Sequence, residues 1–495
     1  MNEDDVSEEE LIDAILSANP DLSRSKLESI INQYMQEYDV KRKTALFLIL
    51  LEYQSEPVHR ESSHLSLSEL MSGLSNVTIV ARIAWLGLTK RIKNGFMTRG
   101  GILDSSRVMP IVFWGRTRED LLNMGVNKDS IVEIKGCHVR ENLSGELEVH
   151  VTERSSIRLA YEYDEKVPYI DEKFKSIAEA SSDPSLYQFL YGILLTKPVE
   201  KDVSLDGGGV RKLYQIYVGD GNVAVRCVSW GGVPDDLLNT PILEPIRMYY
   251  VRVITNRFGE REVRMNSYSF IESDYSVDAK LNVNTSNLSG VSNGFNVLKV
   301  RLKILSKGVS RVKDSSRTLS LLVHDGETEA ILTALNDKVT VFNSLKDGDE
   351  IMLELFRAIV RPFQTPSISL FTVDSTNVRR LDDHNISHEL PFVTANKIFQ
   401  GFAYVNIAGK VVSLEESDDE MEMGRLLLLI DDLDTPIQIK FRGNILNYSS
   451  FIPRKGERIL VRAAQVDYPH VKDPSSPLFM VPSLRLRAFS RIVEY

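Results

Sequence analysis

The sequence predicts a mainly β chain: four small antiparallel barrels in tandem, preceded by a small α-helical N-terminal segment. Three observations lead to it. After residue 65, short runs rich in β-branched and aromatic residues dominate, with few helical signals between them, which favours antiparallel barrels over βαβ units. Those runs recur in one order: a long opening strand, a polar loop, a strand ending in an acidic turn, a strand pair, a crossover, then two final strands. The loop between the last two strands carries an aromatic at Phe258 (NRFGER), Phe363 (RPFQTP) and Tyr468 (VDYPHV), each 105 residues from the next. A period that long means whole domains in array. At 495 residues the chain also exceeds what one hydrophobic core organises.

The first sixty residues read as helices. Ser7 with Glu10, and Ser25 with Glu28, fit the capping box, in which serine and glutamate satisfy free backbone N–H groups. Leu27, Ile30, Ile31, Tyr34 and Tyr38 recur at helical spacing, and Asp39 is placed to cap a third helix through TALFLILLEY.

Beyond a polar linker at 54–66 come VTIVARIAWL, MPIVFW, IVEIKGCHV and ELEVHV. In LKVRLKIL, Leu298, Val300, Leu302 and Ile304 point one way and Lys299, Arg301 and Lys303 the other, the period of a half-buried strand; QIKFR alternates likewise. The acidic turn stands at Asp220-Gly221, Asp325-Gly326 and Asp431-Asp432, with a weaker form at Asp104-Ser105. The expected units are a helical segment at 1–60 and barrels at 65–160, 186–274, 293–383 and 399–495.

Composition narrows the class. An apolar fraction of 43% with 26% charged residues is that of an ordinary globular protein, and no run approaches a membrane span. The acidic start MNEDDVSEEE is the wrong charge for a secretory signal. Cys137 and Cys227 are the only cysteines, which excludes a disulfide framework or a four-cysteine zinc site and suits a reducing cytoplasm. The net charge of −10 is concentrated at the start, where residues 1–60 carry −7. Only potential within a Debye length of about 8–10 Å acts strongly on a phosphate, so a basic groove elsewhere is compatible with that total. Residues 65–160, with thirteen Lys/Arg against ten Asp/Glu, are the most favourable region.

The segment 108–157 resembles the DNA-binding OB domains of archaeal replication protein A, through Trp114-Gly115, a short helix at 119–124, Lys135-Gly136 and Arg154-Ser155. GDGNVAVRCVSWGG (219–232) looks like the same module, and KTALFLILLEY (43–53) resembles that family's amino-terminal segment. The resemblance implies four tandem OB folds and a non-enzymatic protein that binds single-stranded DNA in replication, repair and recombination, without a cofactor. It further implies a cytoplasmic, nucleoid-associated location. Departures accompany it: family members often carry a zinc ribbon, which two lone cysteines exclude here, and Leu335 and Arg442 stand near the Trp position of the third and fourth units.

An aromatic ring stacks on any base, at roughly 1–3 kcal/mol per base. By the resemblance, Trp114 and Trp230 are platforms on the barrel's middle strand, and Phe258, Phe363 and Tyr468 platforms on the closing loop. Nearby prolines offer Phe363 and Tyr468 an alternative packing role. The cations that would follow the phosphates are Lys93, Arg107, Arg116 and Arg140 in the first unit, Arg226, Arg257 and Arg261 in the second, and Arg361 and Arg442 farther on. Arg226 shares the strand parity of Trp230. Trp85, inside VARIAWL, is assigned to the core. The first two units are expected to hold most of the single-strand affinity. The acidic run EESDDEME (415–422) would repel phosphate and favours a protein-contact role for the fourth.

Enzymatic motifs are missing. There is no GxxxxGK[ST] loop, GGG at 207–209 suits a hairpin, and no HExxH occurs. His384 and His388 have helical spacing but sit in a linker, and Asp431, Asp432 and Asp434 suit a turn better than a metal site. Two alternatives to DNA binding stay open. One is an interaction scaffold that docks replication and recombination proteins through the N-terminal segment or the fourth barrel; the other is single-stranded RNA binding on the same platforms. Removing residues 1–60 is expected to leave single-strand affinity intact or raised. No membrane partner is expected.

Overall fold

The computed structural model describes the chain apart from residues 1–6, 19–21, 39, 55–63, 94, 143–144, 185, 205–208, 231–234, 257–258, 314, 399–400, 416–424 and 468–481. Three helices open it. Glu8–Ala18 starts on the expected capping box: Ser7 Oγ accepts from the Glu10 N–H at 3.2 Å, and Glu10 Oε2 accepts from the Ser7 N–H at 2.7 Å. Arg24–Tyr38 departs from expectation. Ser23 rather than Ser25 caps it, accepting from the Lys26 N–H at 3.3 Å, because Glu28 is drawn to the Arg42 guanidinium at 2.8 Å. A charge-assisted pair outweighs the reciprocal capping contact. Arg42–Gln54 follows, and its expected cap Asp39 lies outside the described residues.

The helical segment is docked. Leu11, Ile15, Leu27, Ile31, Leu46 and Ile49 share one apolar cluster with the interior of the first barrel. The Tyr38 carbonyl accepts from the Ser75 N–H at 3.2 Å and its hydroxyl at 2.9 Å. Removing residues 1–60 therefore strips a barrel of part of its apolar cover as well as removing negative charge.

Four closed sheets follow. In the first, strands Val77–Ile92, Gly95–Leu103, Val108–Trp114, Ile131–Glu141 and Leu147–Val151 pair in the order 1-2-3-5-4-1. Strands 3 and 5 run parallel, Ile111 opposite Val149, and the rest antiparallel. The other three close in the same order, from strands that start at Tyr187, Gly294 and Tyr404. A short helix bridges strands 3 and 4 in each of the first three: Arg118–Asn123, Asp235–Asn239 and Lys338–Asn343. In the fourth a 3-10 turn, Ile445–Asn447, takes its place. This is the five-stranded Greek-key barrel of the OB fold, present four times.

Two devices recur in every or nearly every copy. Strand 4 carries an extra residue at positive φ: Gly136 (75°), Tyr250 (56°), Leu355 (55°) and Ala463 (51°). Pairing registers skip there, for instance between Met248 and Val251. Such a bulge bends the strand sharply enough to close a five-stranded barrel.

The second device explains the acidic turns. Asp325 Oδ2 accepts from the Leu288 N–H at 2.6 Å, and its Oδ1 takes the N–H groups of Glu327 and Thr328. Asp431 holds Ala395, Leu433 and Thr435 in the same manner, and Asp104, the weaker form in the sequence, holds Leu67, Ser106 and Arg107. Each aspartate thus latches a 3-10 turn in front of its barrel onto the tip of strand 2. Asp220 is the divergent copy; its Oδ1 accepts from the Lys280 N–H at 3.3 Å, and it latches no 3-10 turn among the described residues. Asp325→Ala leaves the N–H of the fully buried Leu288 without its acceptor and is expected to lower stability by about 1–3 kcal/mol in urea melts, with Asp325→Asn restoring part of it.

The barrels are fastened to one another. Trp85, 2% exposed, donates its indole N–H to the Tyr268 carbonyl at 3.2 Å and lies among Phe189, Tyr249 and Tyr250 of the second barrel. Tyr217 of the second meets Phe295, Val297 and Leu355 of the third. Leu305 and Leu322 of the third meet Tyr404, Ala463 and Phe489 of the fourth, where Ser306 Oγ also donates to the Phe489 carbonyl at 2.8 Å.

Candidate nucleic-acid interface

Strand alternation decides what each barrel offers to solvent. In the second barrel Ile216, Val218, Val225, Cys227, Val263 and Met265 fill the core. Their neighbours in register therefore face outward together: Lys201, Leu213 and Trp230 in one line, Tyr217 and Arg226 in another, with Arg226 opposite Glu262 and Val228 opposite Arg264. Trp230 ends strand 3 and is 38% exposed, with the Arg211 guanidinium 5.3 Å from its ring centre. Arg226 sits 3.5 Å from Glu262. Across the junction, Arg357 of the third barrel lies 5.5 Å over the Tyr217 ring. Burial, then the nearby Arg226 and Arg357, hold the Lys201 ammonium below its ordinary range. The result is one aromatic platform on a face that also carries five cations, Lys201, Arg211, Arg226, Arg264 and Arg357, with the carboxylate of Glu262 among them and that of Glu260 acting on Tyr217.

The first barrel's equivalent face is largely covered. Met97, Val112 and Trp85 share it and pack under Tyr249, Tyr250 and Tyr268 of the second barrel. What stays open is its end, a cavity of about 540 Å³ lined by Phe96, Trp114, His138, Glu153 and Arg154 among others. Trp114 is partly buried; its indole N–H donates to His150 Nδ1 at 2.8 Å and its ring stacks on that imidazole. Phe96, 43% exposed, supplies a more open ring. Gly115, at φ 72°, brings the chain back so that its N–H reaches the Phe96 carbonyl at 2.9 Å.

The remaining expected site residues are dispersed. Lys93 is exposed in the hairpin turn before Phe96. Arg116 is tied to the Ser155 carbonyl at 2.9 Å, and Arg261 to the carbonyls of Ile177 and Ala180. Arg140 is exposed on strand 4, opposite Glu148. Arg107 lines a separate cleft between the first two barrels with Lys173, Lys175, Tyr187 and Tyr250, and burial there lowers its pKa. Phe363 is fully exposed at a loop tip beside exposed Arg361, so it does not pack on the neighbouring prolines. Arg442 is exposed just after Phe441, which takes the last place of its strand and turns into the core. Arg257, Phe258 and Tyr468, and all of EESDDEME except Glu415, lie outside the described residues.

Five contributors were missed in the sequence: Phe96, Lys201, Arg211, Arg264 and Arg357. A signal existed for two. Val263 and Met265 set the inward parity of REVRM, which selects Arg264 over Arg261. An Asn-Gly turn flanks Phe96 in KRIKNGFMTR. Arg357 had none, because the bulge at Leu355 resets the alternation just before it.

Among the described residues no group of three or more His, Cys, Asp or Glu is arranged to hold a metal ion. Both thiols are buried, and burial pushes Cys137 up to about 12. His384 and His388 lie in an extended linker rather than a helix, and His388 stacks on His324 with ring centres 3.7 Å apart. Burial, then His388, lower the His324 imidazole to about 4, and its Nδ1 accepts from the Gly326 N–H at 2.8 Å. The unfolded chain takes up a proton near pH 6.5 that the folded chain refuses until about 4. This share of stability is therefore complete above pH ~6.5 and lost as pH falls toward 4. The melting temperature is expected to drop more between about pH 7 and 4.5 in the wild type than in His324→Gln.

No family model matches the chain, and no curated protein matches it significantly. Solved structures share parts of it. A replication protein A heterotrimer bound to single-stranded DNA matches over 64% of this chain and 96% of its own, at 13% identity and a TM-score of 0.32. Fission yeast Pot1 with single-stranded DNA matches over 43% and 89%, at 11% identity and 0.26. The OB domain of a Thermoplasma acidophilum protein matches over 22% and 92%, at 24% identity and 0.17. No helix among the described residues is long and apolar enough to cross a membrane.

Proposed function

We propose that the chain binds single-stranded nucleic acid without regard to sequence, acting as a binding protein rather than a catalyst. The observation that carries this is the outer face of the second barrel, where the exposed Trp230 ring, with Arg211 beside it, shares a sheet face with Lys201, Arg226, Arg264 and the third barrel's Arg357. A ring stacks on any base and the cations follow the phosphates, so the combination suits coating rather than reading a sequence. Phe96 and Trp114 form a second, smaller station on the first barrel. Single-stranded DNA in replication, repair and recombination, inside the cytoplasm and close to the nucleoid, is the setting this reading favours. The docked helical segment exposes Glu8, Glu9 and Glu10 at its start, Glu8 paired with Arg42 and Glu9 with Arg24, a mixed-charge surface open to a partner protein.

The test is fluorescence anisotropy of labelled oligo-dT across a salt series. Affinity should fall with a log–log slope of about −0.7 for each phosphate neutralised. A salt-independent affinity would remove the cationic face from the account. Competition between matched DNA and RNA oligomers then assigns the sugar preference.

A further inference from the structure

Each of the first three barrels spends part of its outer sheet face on the next barrel, as Trp85, Tyr217 and Leu322 show. The face of the fourth barrel carries a dense group of cations on a single cavity. In strand 3 of this barrel Ile437, Ile439 and Phe441 point into the core, which sends Lys440 outward; exposed Arg442 follows just past the strand end. In strand 5 Leu484 and Leu486 are buried, which sends Arg485 outward, with exposed Arg487 beyond it, and Lys440 lies directly opposite Arg485. Arg311 of the third barrel closes the group, 5.1 Å over the Tyr448 ring and bonded to the Asn447 carbonyl at 3.2 Å. These five cations line one cavity of about 420 Å³, and no carboxylate is among its described lining residues.

Like charges set side by side on a sheet destabilise it. Asp467 relieves only part of this, reaching Lys440 at 3.4 Å and Arg485 at 3.0 Å. The buried Nε atoms of Arg311 and Arg485 have no partner among the described residues. Phe441 and Tyr448, the aromatic side chains among its described lining residues, are both buried. Converging guanidinium forks match the tetrahedral oxygens of phosphate. We infer that the junction of the third and fourth barrels is a phosphate-binding pocket, built by Arg311, Lys440, Arg442, Arg485 and Arg487. The fourth barrel, expected from its sequence to contact protein, thereby becomes an anchor for a strand's phosphate. Only the source of that phosphate, a nucleic-acid strand, rests on the proposed function; the pocket stands on its own geometry.

The experiment compares the full-length chain with Arg442→Glu/Arg487→Glu, both positions being exposed, and with the matching double alanine variant as a check on folding. Inorganic pyrophosphate should raise the melting temperature of the wild type and not of the charge-reversed protein. Affinity for oligo-dT should fall about tenfold or more, and the double alanine variant should lose about 1.4 from the salt slope, two phosphates' worth. A 5′-phosphorylated oligomer that binds tighter than its unphosphorylated twin only in the wild type places a strand end in the pocket; equal binding places an internal phosphate there. Pyrophosphate and oligo-dT responses unchanged in both variants overturn the inference while leaving the Trp230 face intact. A variant-sensitive response to oligo-glutamate but not to pyrophosphate also overturns it, in favour of an acidic protein segment. If pyrophosphate protection is variant-sensitive but the wild type binds no oligo-dT, the pocket stands and the single-strand function falls.

Discussion

Trp85→Ala is expected to lower stability by about 3–5 kcal/mol and to loosen the first barrel from the second. The side chain is among the largest fully buried ones, and three rings of the second barrel have their centres within 5.9 Å of it. Its removal leaves a cavity between two rigid barrels, which collapse less readily than a single core, and leaves the Tyr268 carbonyl without its indole donor. The sheet beneath is built for the indole. A Cβ on Gly101 would stand 1.9 Å from the Trp85 ring, so Gly101→Val should be comparably damaging although it adds apolar atoms. Denaturant melts measure the loss. Limited proteolysis in the connecting segment 161–185 reports the loosening, and Trp85→Phe should recover most of both.

Trp230→Ala combined with Arg226→Glu is the second large expectation, and it concerns binding. Truncating an exposed platform removes roughly 1–3 kcal/mol of stacking, about five- to 150-fold in affinity. Charge reversal at Arg226 puts two adjacent carboxylates, with Glu262, beneath the path of the phosphates. The two changes share one face and should act more than additively. Neither residue belongs to the cluster that fills the barrel core, so Trp230→Ala alone should move the melting temperature little, whereas a glutamate at 226 faces the buried Glu262 and should lower it. Anisotropy with labelled oligo-dT reads the effect, and the single variants apportion it.

The barrels were legible because their signals are local. Alternation in LKVRLKIL and QIKFR, together with the Asp turns, exposes the strand order directly, and the 105-residue spacing of Phe258, Phe363 and Tyr468 shows the repeat. The role of those aspartates was not legible, since the groups they latch, such as Leu288 for Asp325, stand about forty residues away. Trp85 illustrates the harder limit. It is buried, as its setting in VARIAWL suggests, but between barrels rather than within one, because the register skips between Ile83 and Trp85 and turns the ring outward. Docking of one barrel on the next is a non-local event that strand periodicity does not encode. That docking redistributes the expected site: it covers much of the first barrel's face, places Arg107 in a cleft away from Trp114, and recruits Arg357 from the third barrel to the second.

Tryptophan fluorescence on adding oligo-dT at low salt tests the central claim most directly. Trp85 is sealed between barrels and Trp114 is stacked on His150, so Trp230 is the tryptophan most open to a base. The wild type should quench on titration, recover as salt is raised, and lose most of the quenching amplitude in Trp230→Phe. An unchanged signal in the wild type at low salt, or full quenching in Trp230→Phe, would contradict a stacking platform on the second barrel.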